Sequence, residues 1–261
     1  MKQYRGFLID LDGTIYRGAE PIPAGKRFIE RLQDNHIPFL LLTNNSTRTP
    51  QMVVDHLEHN FGIHVTTDNV YTSAMATADY LANQQASEPP TVYPIGERGL
   101  KEALFQQGFK YDEIHPDYVV VGLDRDVTYH KFTVATLAVR RGARLIGTNA
   151  DSNLPSEWGM IPSAGPLVTF MEYATQTKAQ YIGKPEPQIM DVAVKRLGCP
   201  REALAIVGDN YMTDIKAGIN AQVDQILVYT GLSTPELVAA QPVAPTWEVQ
   251  SLDEVPVNSH A

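Results

Sequence analysis

Short runs of apolar residues recur towards both ends of the chain, and polar residues follow each of them. Four of these runs are almost continuously apolar, at residues 7–9, 39–42, 204–207 and 226–228. Runs of this kind are typical of strands that are buried on both faces of a parallel sheet. They predict a sheet to which both ends of the sequence contribute.

Amphipathic segments separate these runs and predict helices. Their apolar residues share one helical face, at Phe28, Ile29 and Leu32, at Val53, Val54 and Leu57, and at Ile189, Met190, Ala193, Val194 and Leu197. Thr49 and Pro50 predict the start of one helix, and Gly198 predicts the end of another. The alternation of strands and helices predicts a doubly wound, Rossmann-like α/β core with a parallel sheet.

The middle of the chain interrupts this pattern. A polar stretch at residues 84–90 predicts a linker. Three further strands are predicted after it, at residues 92–95, 118–121 and 144–146. Two helical stretches separate them, at residues 100–104 and 132–139. They predict a second, smaller α/β domain inserted into the first.

The predicted domain boundaries lie near residues 80 and 178. The core would comprise residues 1–80 and 178–261, and the inserted cap domain residues 81–177. A chain of 261 residues has room for a core domain and a smaller one.

Composition and charge narrow the possible partners. Hydrophobic residues make up 43% of the chain and charged residues 20%, as in an ordinary globular protein. The formal net charge of −9 disfavours binding to nucleic acid or to an anionic membrane surface. A single cysteine, Cys199, excludes an intrachain disulfide, and the first apolar run is too short for a secretory signal. We therefore expect a cytoplasmic protein.

Polar residues cluster where the predicted strands end. The first run leads into Asp10 and Asp12, the second into Thr43, Asn44 and Asn45, and the third into Asp209 and Asp214. In open α/β sheets the ligand crevice lies at the carboxyl ends of the strands, so these side chains are expected to meet.

Several carboxylates in one crevice repel each other unless a cation offsets their charge. Hard oxygen ligands of this kind suit Mg²⁺, which commonly binds one or two carboxylates together with substrate phosphate oxygens. Asp10 and Asp209 are the predicted direct ligands, and Lys184 would add a positive charge for the phosphate.

These segments together resemble the haloacid dehalogenase (HAD) superfamily. Residues 10–14 (DLDGT), Thr43-Asn44, Gly183-Lys184-Pro185 and residues 208–214 (GDNYMTD) match the four motifs of that superfamily in order. Of the four, DLDGT is the most specific. The insert between the second and third motifs resembles the α/β (C2-type) cap, and the Thr-Asn segments resemble the branch of NagD and the 4-nitrophenyl phosphatases.

The resemblance implies a magnesium-dependent phosphatase. In it, Asp10 would attack phosphorus and form an aspartyl-phosphate, and Asp12 would act as general acid and then as general base. The metal would bind the Asp10 and Asp209 carboxylates and the main-chain carbonyl of Asp12, and Asp214 would orient the site from behind these ligands. Phosphoryl oxygens would be bound by a group of polar side chains, namely Thr43, Asn44, Asn45 and Lys184.

Each of these residues also has a purely structural interpretation. Asp10 and Asp12 could be solvated turn residues, Thr43 and Asn44 could cap a helix, and Lys184 could lie on the surface. Asp209 and Asp214 could cap a helix N-terminus. In the insert, a specificity role and a plain surface loop remain equally open for the polar stretch that contains Asp151, Asn153 and Trp158.

Other functions are also compatible with parts of this pattern. A receiver-type signalling module also accepts a phosphoryl group on an aspartate, but it needs neither Asp12 nor an inserted domain. A phosphomutase or a dehalogenase would keep the fold and change the reaction. Because a cap would cover the crevice, we expect small phosphomonoesters, such as nucleotide, sugar or cofactor phosphates, as substrates. A homodimer is compatible with the sequence.

Overall fold

The computed structural model describes residues 2–84 and 90–257. Its strands are β1 Gly6–Ile9, β2 Tyr16–Arg17, β3 Glu20–Pro21, β4 Phe39–Thr43, β5 Val70–Thr72, β6 Thr91–Ile95, β7 Lys110–Tyr111, β8 Tyr118–Val121, β9 Arg144–Gly147, β10 Asn153–Ser156, β11 Gly159–Pro162, β12 Gln180–Tyr181, β13 Leu204–Gly208, β14 Asp224–Val228 and β15 Trp247–Val249. All four apolar runs at the two ends of the sequence are strands, as predicted.

The α-helices are α1 Pro23–Asp34, α2 Pro50–Phe61, α3 Ser73–Ala82, α4 Arg98–Gln106, α5 Tyr129–Arg140, α6 Ala164–Thr175, α7 Pro187–Leu197, α8 Lys216–Ala221 and α9 Pro235–Ala239. A π-helical turn covers Tyr211–Ile215, and short 3₁₀ turns cover Thr67–Asn69, Arg201–Ala203 and Leu252–Glu254. None of the helices in these two described ranges combines the length and the apolar character that crossing a bilayer requires.

The predicted helix ends are confirmed. Thr49 precedes α2, and its hydroxyl accepts a hydrogen bond from the N–H of Met52 at 3.2 Å, while Pro50 is the first helical residue. Gly198 ends α7 in the left-handed conformation, with φ at 66°.

The chain divides into two units. The first comprises Met1–Thr43, Val53–Tyr71 and Lys184–Ala261, and the second comprises Asn44–Met52 and Thr72–Gly183. The predicted boundaries near 80 and 178 differ from these limits and stay a proposal. Residues 85–89 of the predicted linker lie outside the described residues.

In the first unit, the sheet has the strand order β15-β14-β13-β1-β4-β5. Strand β1 lies between two parallel neighbours, with Leu8 opposite Ile206 on β13 and opposite Leu40 on β4. The chain builds the sheet outward from β1 in one direction through β4 and then in the other through β13. Ligand sites form at such a switch point in doubly wound sheets, so β1 and β13 are where the site is expected.

The core of the first unit packs helices against this sheet. On α1, the predicted face of Phe28, Ile29 and Leu32 is fully buried, and the Phe28 ring meets the Phe7 ring of β1 edge-on at 5.3 Å between centroids. This packing buries the apolar face of α1 against the sheet.

In the second unit, the sheet has the order β12-β9-β8-β6-β7, and its strands are parallel. Helices α5 and α6 contribute to one apolar core with this sheet, which contains Val119, Val121, Ala135, Val168 and Met171. The three predicted strands and both predicted helices of the insert are confirmed.

The polar stretch after β9 is more ordered than a plain loop. Strands β10 and β11 form an antiparallel hairpin in which Asn153 lies opposite Pro162. Trp158 lies in the turn that connects the two strands, and its side chain is 90% exposed. Asp151 precedes the hairpin.

The Phe28 packing gives a test of the first unit's core. We expect Phe28→Ala to lower the free energy of unfolding by about 3–5 kcal/mol, because it leaves a cavity beside Phe7. Urea denaturation measures this change, and Leu237→Ala on α9, where the side chain is 38% exposed, is the control. Equal effects of the two substitutions would show that Phe28 does not contribute to the core in this way.

Candidate active site

Two acidic residues follow directly from the paired strands β1 and β13. Asp10 comes after the last residue of β1, and its N–H donates to Val207 O at 2.9 Å; Asp209 comes after the last residue of β13. One carboxylate oxygen from each of Asp10, Asp209 and Asp214 lies within 4.8 Å of the other two. The strand ends therefore bring three of the predicted acids together.

The loop after β1 doubles back sharply. The N–H groups of Thr14 and Ile15 both donate to Leu11 O, at 3.2 and 2.8 Å. Gly13 has φ at 92°, and a methyl group on its Cα would overlap the Asp209 carboxylate. Both the conformation and the space therefore require glycine in the DLDGT segment.

Asp12 lies apart from the three clustered carboxylates. It is exposed, and its Oδ1 accepts a hydrogen bond from the N–H of Gly18 at 3.2 Å. In the described ranges, the carboxylate group that could hold a metal does not include the Asp12 side chain. This arrangement leaves that side chain accessible to solvent.

Asp214 lies in the π-helical turn and faces back towards its start. Its Oδ2 accepts from the N–H of Asn210 at 3.1 Å, and the Asn210 side chain accepts from the N–H of Met212. Asn210 is thus the capping residue of this turn. π-helical turns are rare and frequently lie at functional sites.

Lys184 is the central cation of the cluster. Its side chain is 2% exposed, and its ammonium donates to Asp10 Oδ1 at 2.5 Å, to Asp214 Oδ1 at 2.7 Å and to the carbonyl oxygen of Leu42 at 2.8 Å. An ammonium has three protons to donate, so it can serve several acceptors at once. The interpretation of Lys184 as a surface lysine is therefore wrong.

The electrostatics of the cluster are those of buried, crowded acids. Burial raises the pKa of Asp10 well above its ordinary value; Lys184 opposes this shift, and Asp214 and Asp209 add to it. Burial and then Asp214 raise the pKa of Asp209 to about 7. Burial would lower the pKa of Lys184, but Asp10 and Asp214 outweigh it and raise the pKa. One ammonium does not offset three carboxylates.

The donor set fits a hard divalent cation. Carboxylate oxygens are the preferred ligands of such ions, and an additional positive charge would favour the ionised forms of Asp10 and Asp209. Asp214 has both of its oxygens engaged, one by Lys184 and one by Asn210 N–H. Asp209 is also engaged at both oxygens, but the contact from the Thr14 hydroxyl to its Oδ1 is long, at 3.4 Å, so Asp209 Oδ1 is more readily given to a metal than either oxygen of Asp214.

The predicted phosphate-binding residues fall in both units. Thr43 is the last residue of β4 in the first unit, and its side chain is buried. Asn44 and Asn45 begin the second unit. The side chain of Asn45 closes a turn, because its Oδ1 accepts from the N–H of Thr47 at 2.8 Å and from the Thr47 hydroxyl at 2.9 Å.

Asn44 is held by the segment that follows β9. Its side-chain amide donates to both oxygens of Asp151, at 3.1 and 3.2 Å. Its carbonyl oxygen accepts from the Asn149 amide at 2.8 Å and from the Ser73 hydroxyl at 2.6 Å. A methyl group on Gly183 would overlap Asn44 Oδ1. Asp151 is thus a partner of Asn44 that the sequence did not reveal.

Sequence reasoning also missed groups that hold Asp209. Its Oδ2 accepts from the N–H of Leu232 at 2.7 Å, and its carbonyl oxygen accepts from the N–H of Ser233 at 3.1 Å. Both donors lie beyond the carboxyl end of β14. That strand was predicted, but main-chain donors leave no residue type in the sequence by which to recognise them.

Comparison with known proteins identifies the family. The family described as haloacid dehalogenase-like hydrolase matches residues 7–110, and a second description, HAD-hydrolase-like, matches residues 181–255. The 5'-nucleotidase YutF of Bacillus subtilis is 44% identical over 254 residues, which are 97% of this chain and 98% of the relative. The chain belongs to the haloacid dehalogenase-like hydrolases.

Other similar proteins agree with this HAD-like assignment. The acid sugar phosphatase of Staphylococcus epidermidis is 46% identical over 255 residues, 97% of each chain. A mutant of the thermostable p-nitrophenylphosphatase from Bacillus stearothermophilus has a TM-score of 0.88 at 48% identity, with 98% of this chain and 100% of that chain covered. NagD from E. coli K-12 has a TM-score of 0.91 at 32% identity, with 98% and 100% covered.

Three predictions from the sequence are thereby confirmed. The chain has the α/β fold of the HAD hydrolases and resembles their NagD-like branch. It is an enzyme of the phosphoric monoester hydrolase type, in agreement with the phosphatase and nucleotidase names of relatives that match it over almost their whole length.

The raised pKa of Asp209 predicts how this HAD-like hydrolase responds to pH without metal. Because the folded-state pKa lies near 7, above the ordinary value of 3.8, ionising Asp209 lowers stability progressively between about pH 4 and 7. In EDTA, we expect the melting temperature of Asp209→Asn to exceed that of wild type by more at pH 8 than at pH 5. Differential scanning calorimetry checks this, and an equal difference at both pH values would contradict it.

The contact between Asn44 and Asp151 predicts a loss of stability. We expect Asp151→Ala to lower the free energy of unfolding by about 1–3 kcal/mol, because a partly buried amide loses its acceptors. Asp126→Ala, at an exposed position of the same unit, is the matched control. Chemical denaturation measures both variants, and a control effect as large as that of Asp151→Ala would argue against the contact.

Proposed function

We propose that the protein is a Mg²⁺-dependent phosphatase that hydrolyses small phosphomonoesters through an aspartyl-phosphate on Asp10. The observation that carries this proposal is the buried group of Asp10, Asp209 and Asp214 around Lys184 at the ends of β1 and β13. It combines a nucleophilic carboxylate, a cation and further carboxylates for a metal in one place. The names of the relatives support a phosphatase.

The metal would be bound by Asp10, Asp12 and Asp209, with Asp12 contributing its main-chain carbonyl. Asp214 would orient the site, because it already binds Lys184 and the N–H of Asn210. When bound, Mg²⁺ supplies positive charge that offsets the carboxylates and the phosphoryl oxygens. The same charge would hold Asp10 in the ionised form that a nucleophile requires.

Asp10 is the proposed nucleophile because its carboxylate is fixed in place. The Lys184 ammonium holds Asp10 Oδ1 at 2.5 Å, and the strand pairing of β1 holds its main chain. Holding a reacting group in one orientation removes much of the entropic cost of the reaction. In the proposed step, an Asp10 oxygen forms a bond to phosphorus while the bond from phosphorus to the leaving oxygen breaks.

Asp12 is the proposed general acid and base. Its exposed carboxylate would give a proton to the leaving oxygen and later take one from the water that hydrolyses the aspartyl-phosphate. The Gly18 N–H holds Asp12 Oδ1. A side chain that also bound the metal would be a poor proton carrier, so its separation from the carboxylate cluster supports this role.

Thr43 and Lys184 are the proposed phosphoryl-binding groups in the first unit. Hydroxyl and ammonium donors stabilise the charge that develops on phosphoryl oxygens in the transition state. Asn44 and Asn45 complete the proposed set. To bind a phosphoryl oxygen, the Asn44 amide would have to give up its hydrogen bonds to Asp151. Asp151 would therefore compete with the substrate for this amide.

For substrates we propose small esters, with nucleotide and sugar phosphates first. Two relatives carry the names 5'-nucleotidase and acid sugar phosphatase. A panel of small phosphate esters that tests this proposal should also include cofactor phosphates. A phosphomutase of the same fold would return the phosphoryl group to a second hydroxyl, and product analysis with a sugar phosphate distinguishes it. The confirmed hydrolase family leaves no observation in favour of a receiver module.

The cellular setting is also a proposal. The single cysteine and the net charge of −9 support a reducing, cytoplasmic location without nucleic acid or membrane partners. A homodimer remains compatible with the chain. Sedimentation of the purified protein measures its oligomeric state.

Asp10→Asn tests the nucleophile. We expect it to reduce phosphate release with Mg²⁺ by a factor of about a thousand or more, because the amide keeps the shape and removes the attacking charge. A malachite green assay across the ester panel measures it, with Asp34→Asn at an exposed position of α1 as control. Wild-type protein that released no phosphate from any ester would end the proposal.

Asp12→Asn tests the proton-transfer role. p-Nitrophenolate leaves without a proton, so with p-nitrophenyl phosphate we expect a burst of about one equivalent followed by slow turnover, as aspartyl-phosphate accumulates. With an alkyl or sugar phosphate we expect no burst and a loss of about 10²–10⁴ in kcat. Stopped-flow absorbance and acid quench measure the two cases. Equal losses on both substrates without a burst would contradict this role.

A further inference from the structure

The loop after β14, residues Thr230–Ser233, surrounds Asp209. The N–H of Leu232 donates to Asp209 Oδ2 at 2.7 Å, and the N–H of Ser233 donates to the Asp209 carbonyl oxygen at 3.1 Å. Consecutive amides of this loop thus hold both the side chain and the main chain of Asp209. Neither donor depends on the side chain of the residue that supplies it.

The approach of this loop to Asp209 leaves no room for a side chain at Gly231. A methyl group on Gly231 would overlap Asp209 Oδ2 and Cγ. Its φ lies outside the left-handed region, so the conformation itself would accept alanine. Glycine is needed at position 231 because the Asp209 carboxylate leaves no space for a side chain.

The same loop also holds the segment that carries Asp10 and Asp12. The Thr230 hydroxyl donates to the carbonyl oxygen of Gly13 at 2.6 Å, and the Arg17 guanidinium donates to the carbonyl oxygen of Thr230. Gly13 directly follows Asp12. The loop therefore fixes the two acid-bearing segments relative to each other.

A further contact anchors the loop on its other side. The Ser233 hydroxyl accepts from the N–H of Tyr211 at 2.8 Å, at the start of the π-helical turn that carries Asp214. The Tyr211 side chain is buried, and its hydroxyl donates to the carbonyl oxygen of Val243 at 2.5 Å. The loop is thus tied to all three segments that supply the clustered acids.

We propose that Thr230, Gly231, Leu232 and Ser233 are positioning residues for the cation site, an inference that rests on the proposed function. By engaging Oδ2, the N–H of Leu232 fixes the rotation of the Asp209 carboxylate, and Thr230 fixes the Asp12–Gly13 main chain opposite it. Ligands held in this way need no reorganisation when a cation binds, so affinity rises. None of these four residues needs to touch the cation or the substrate.

The test measures Mg²⁺ binding directly by isothermal titration calorimetry without substrate. We expect Gly231→Ala to weaken Mg²⁺ binding by about 10–100-fold, because the added methyl displaces the Asp209 carboxylate, and Thr230→Val to weaken it by about tenfold. Leu237→Ala on α9, where the side chain is 38% exposed, is the control and should bind Mg²⁺ as wild type does.

Two further readouts separate positioning from a general structural defect. Circular dichroism and metal-free melting report whether each variant is folded, and if Gly231→Ala does not fold, Thr230→Val decides. For a positioning role, the phosphatase activity lost at limiting Mg²⁺ should return at saturating Mg²⁺, with kcat near that of wild type.

The outcomes are distinguishable. Folded variants that bind Mg²⁺ as wild type does would overturn the positioning role and leave the proposed function intact. Wild-type protein that binds no Mg²⁺ would overturn both. Losses in kcat that saturating Mg²⁺ does not restore would assign the loop to another role and overturn the inference.

Discussion

The buried ammonium of Lys184 is the interaction on which the candidate site depends. Taking a charge out of water is costly, and the cost is repaid only when good geometry and several hydrogen bonds compensate it. Lys184 has this compensation in Asp10, Asp214 and the Leu42 carbonyl, which lie at the ends of β1, β13 and β4 or just beyond. Three neighbouring strand ends are thus held together by one side chain.

The candidate site contains more acidic than basic side chains, namely Asp10, Asp209 and Asp214 against Lys184. If all three carboxylates are ionised, Lys184 offsets one of them and two negative charges remain. Burial raises the pKa values of Asp10 and Asp209, and the neighbouring carboxylates raise them further. A divalent cation would offset the two remaining negative charges, which is why the acids and the proposed Mg²⁺ belong to one physical argument.

Much of the fold could be predicted because buried parallel strands leave a clear pattern. The four runs of the first unit are short but almost continuously apolar, and the helices between them have well-defined apolar faces. The elements that were missed lack these features. Strands β7 and β12 have two residues each, β10 and β11 are only partly buried and contain proline or glycine, and α3 is rich in alanine. Short or uniformly mixed segments give no period to detect.

How much of the candidate site could be predicted from the sequence differs between side-chain carboxylates, main-chain donors and partners that are distant in sequence. Carboxylates that follow strands are visible in the sequence, so the meeting of Asp10 and Asp209 at one end of the sheet could be predicted. Hydrogen bonds from main-chain N–H groups are not, since any residue can supply them, and so the donors at Leu232 and Ser233 were missed. The partner of Asn44 was missed for another reason: Asp151 is 107 residues away, and only the folded chain shows that they pair.

The central position of β1 also has a consequence for how the chain is made. Strand β1 is synthesised well before its neighbour β13, because β1 ends at residue 9 and β13 begins at residue 204. While the ribosome adds the residues between them, one edge of β1 has no partner and exposes unpaired N–H and C=O groups. Contacts so distant in sequence form slowly. The nascent chain therefore passes through a long stage in which an apolar strand edge is open to other chains, and chaperones would be needed most at that stage.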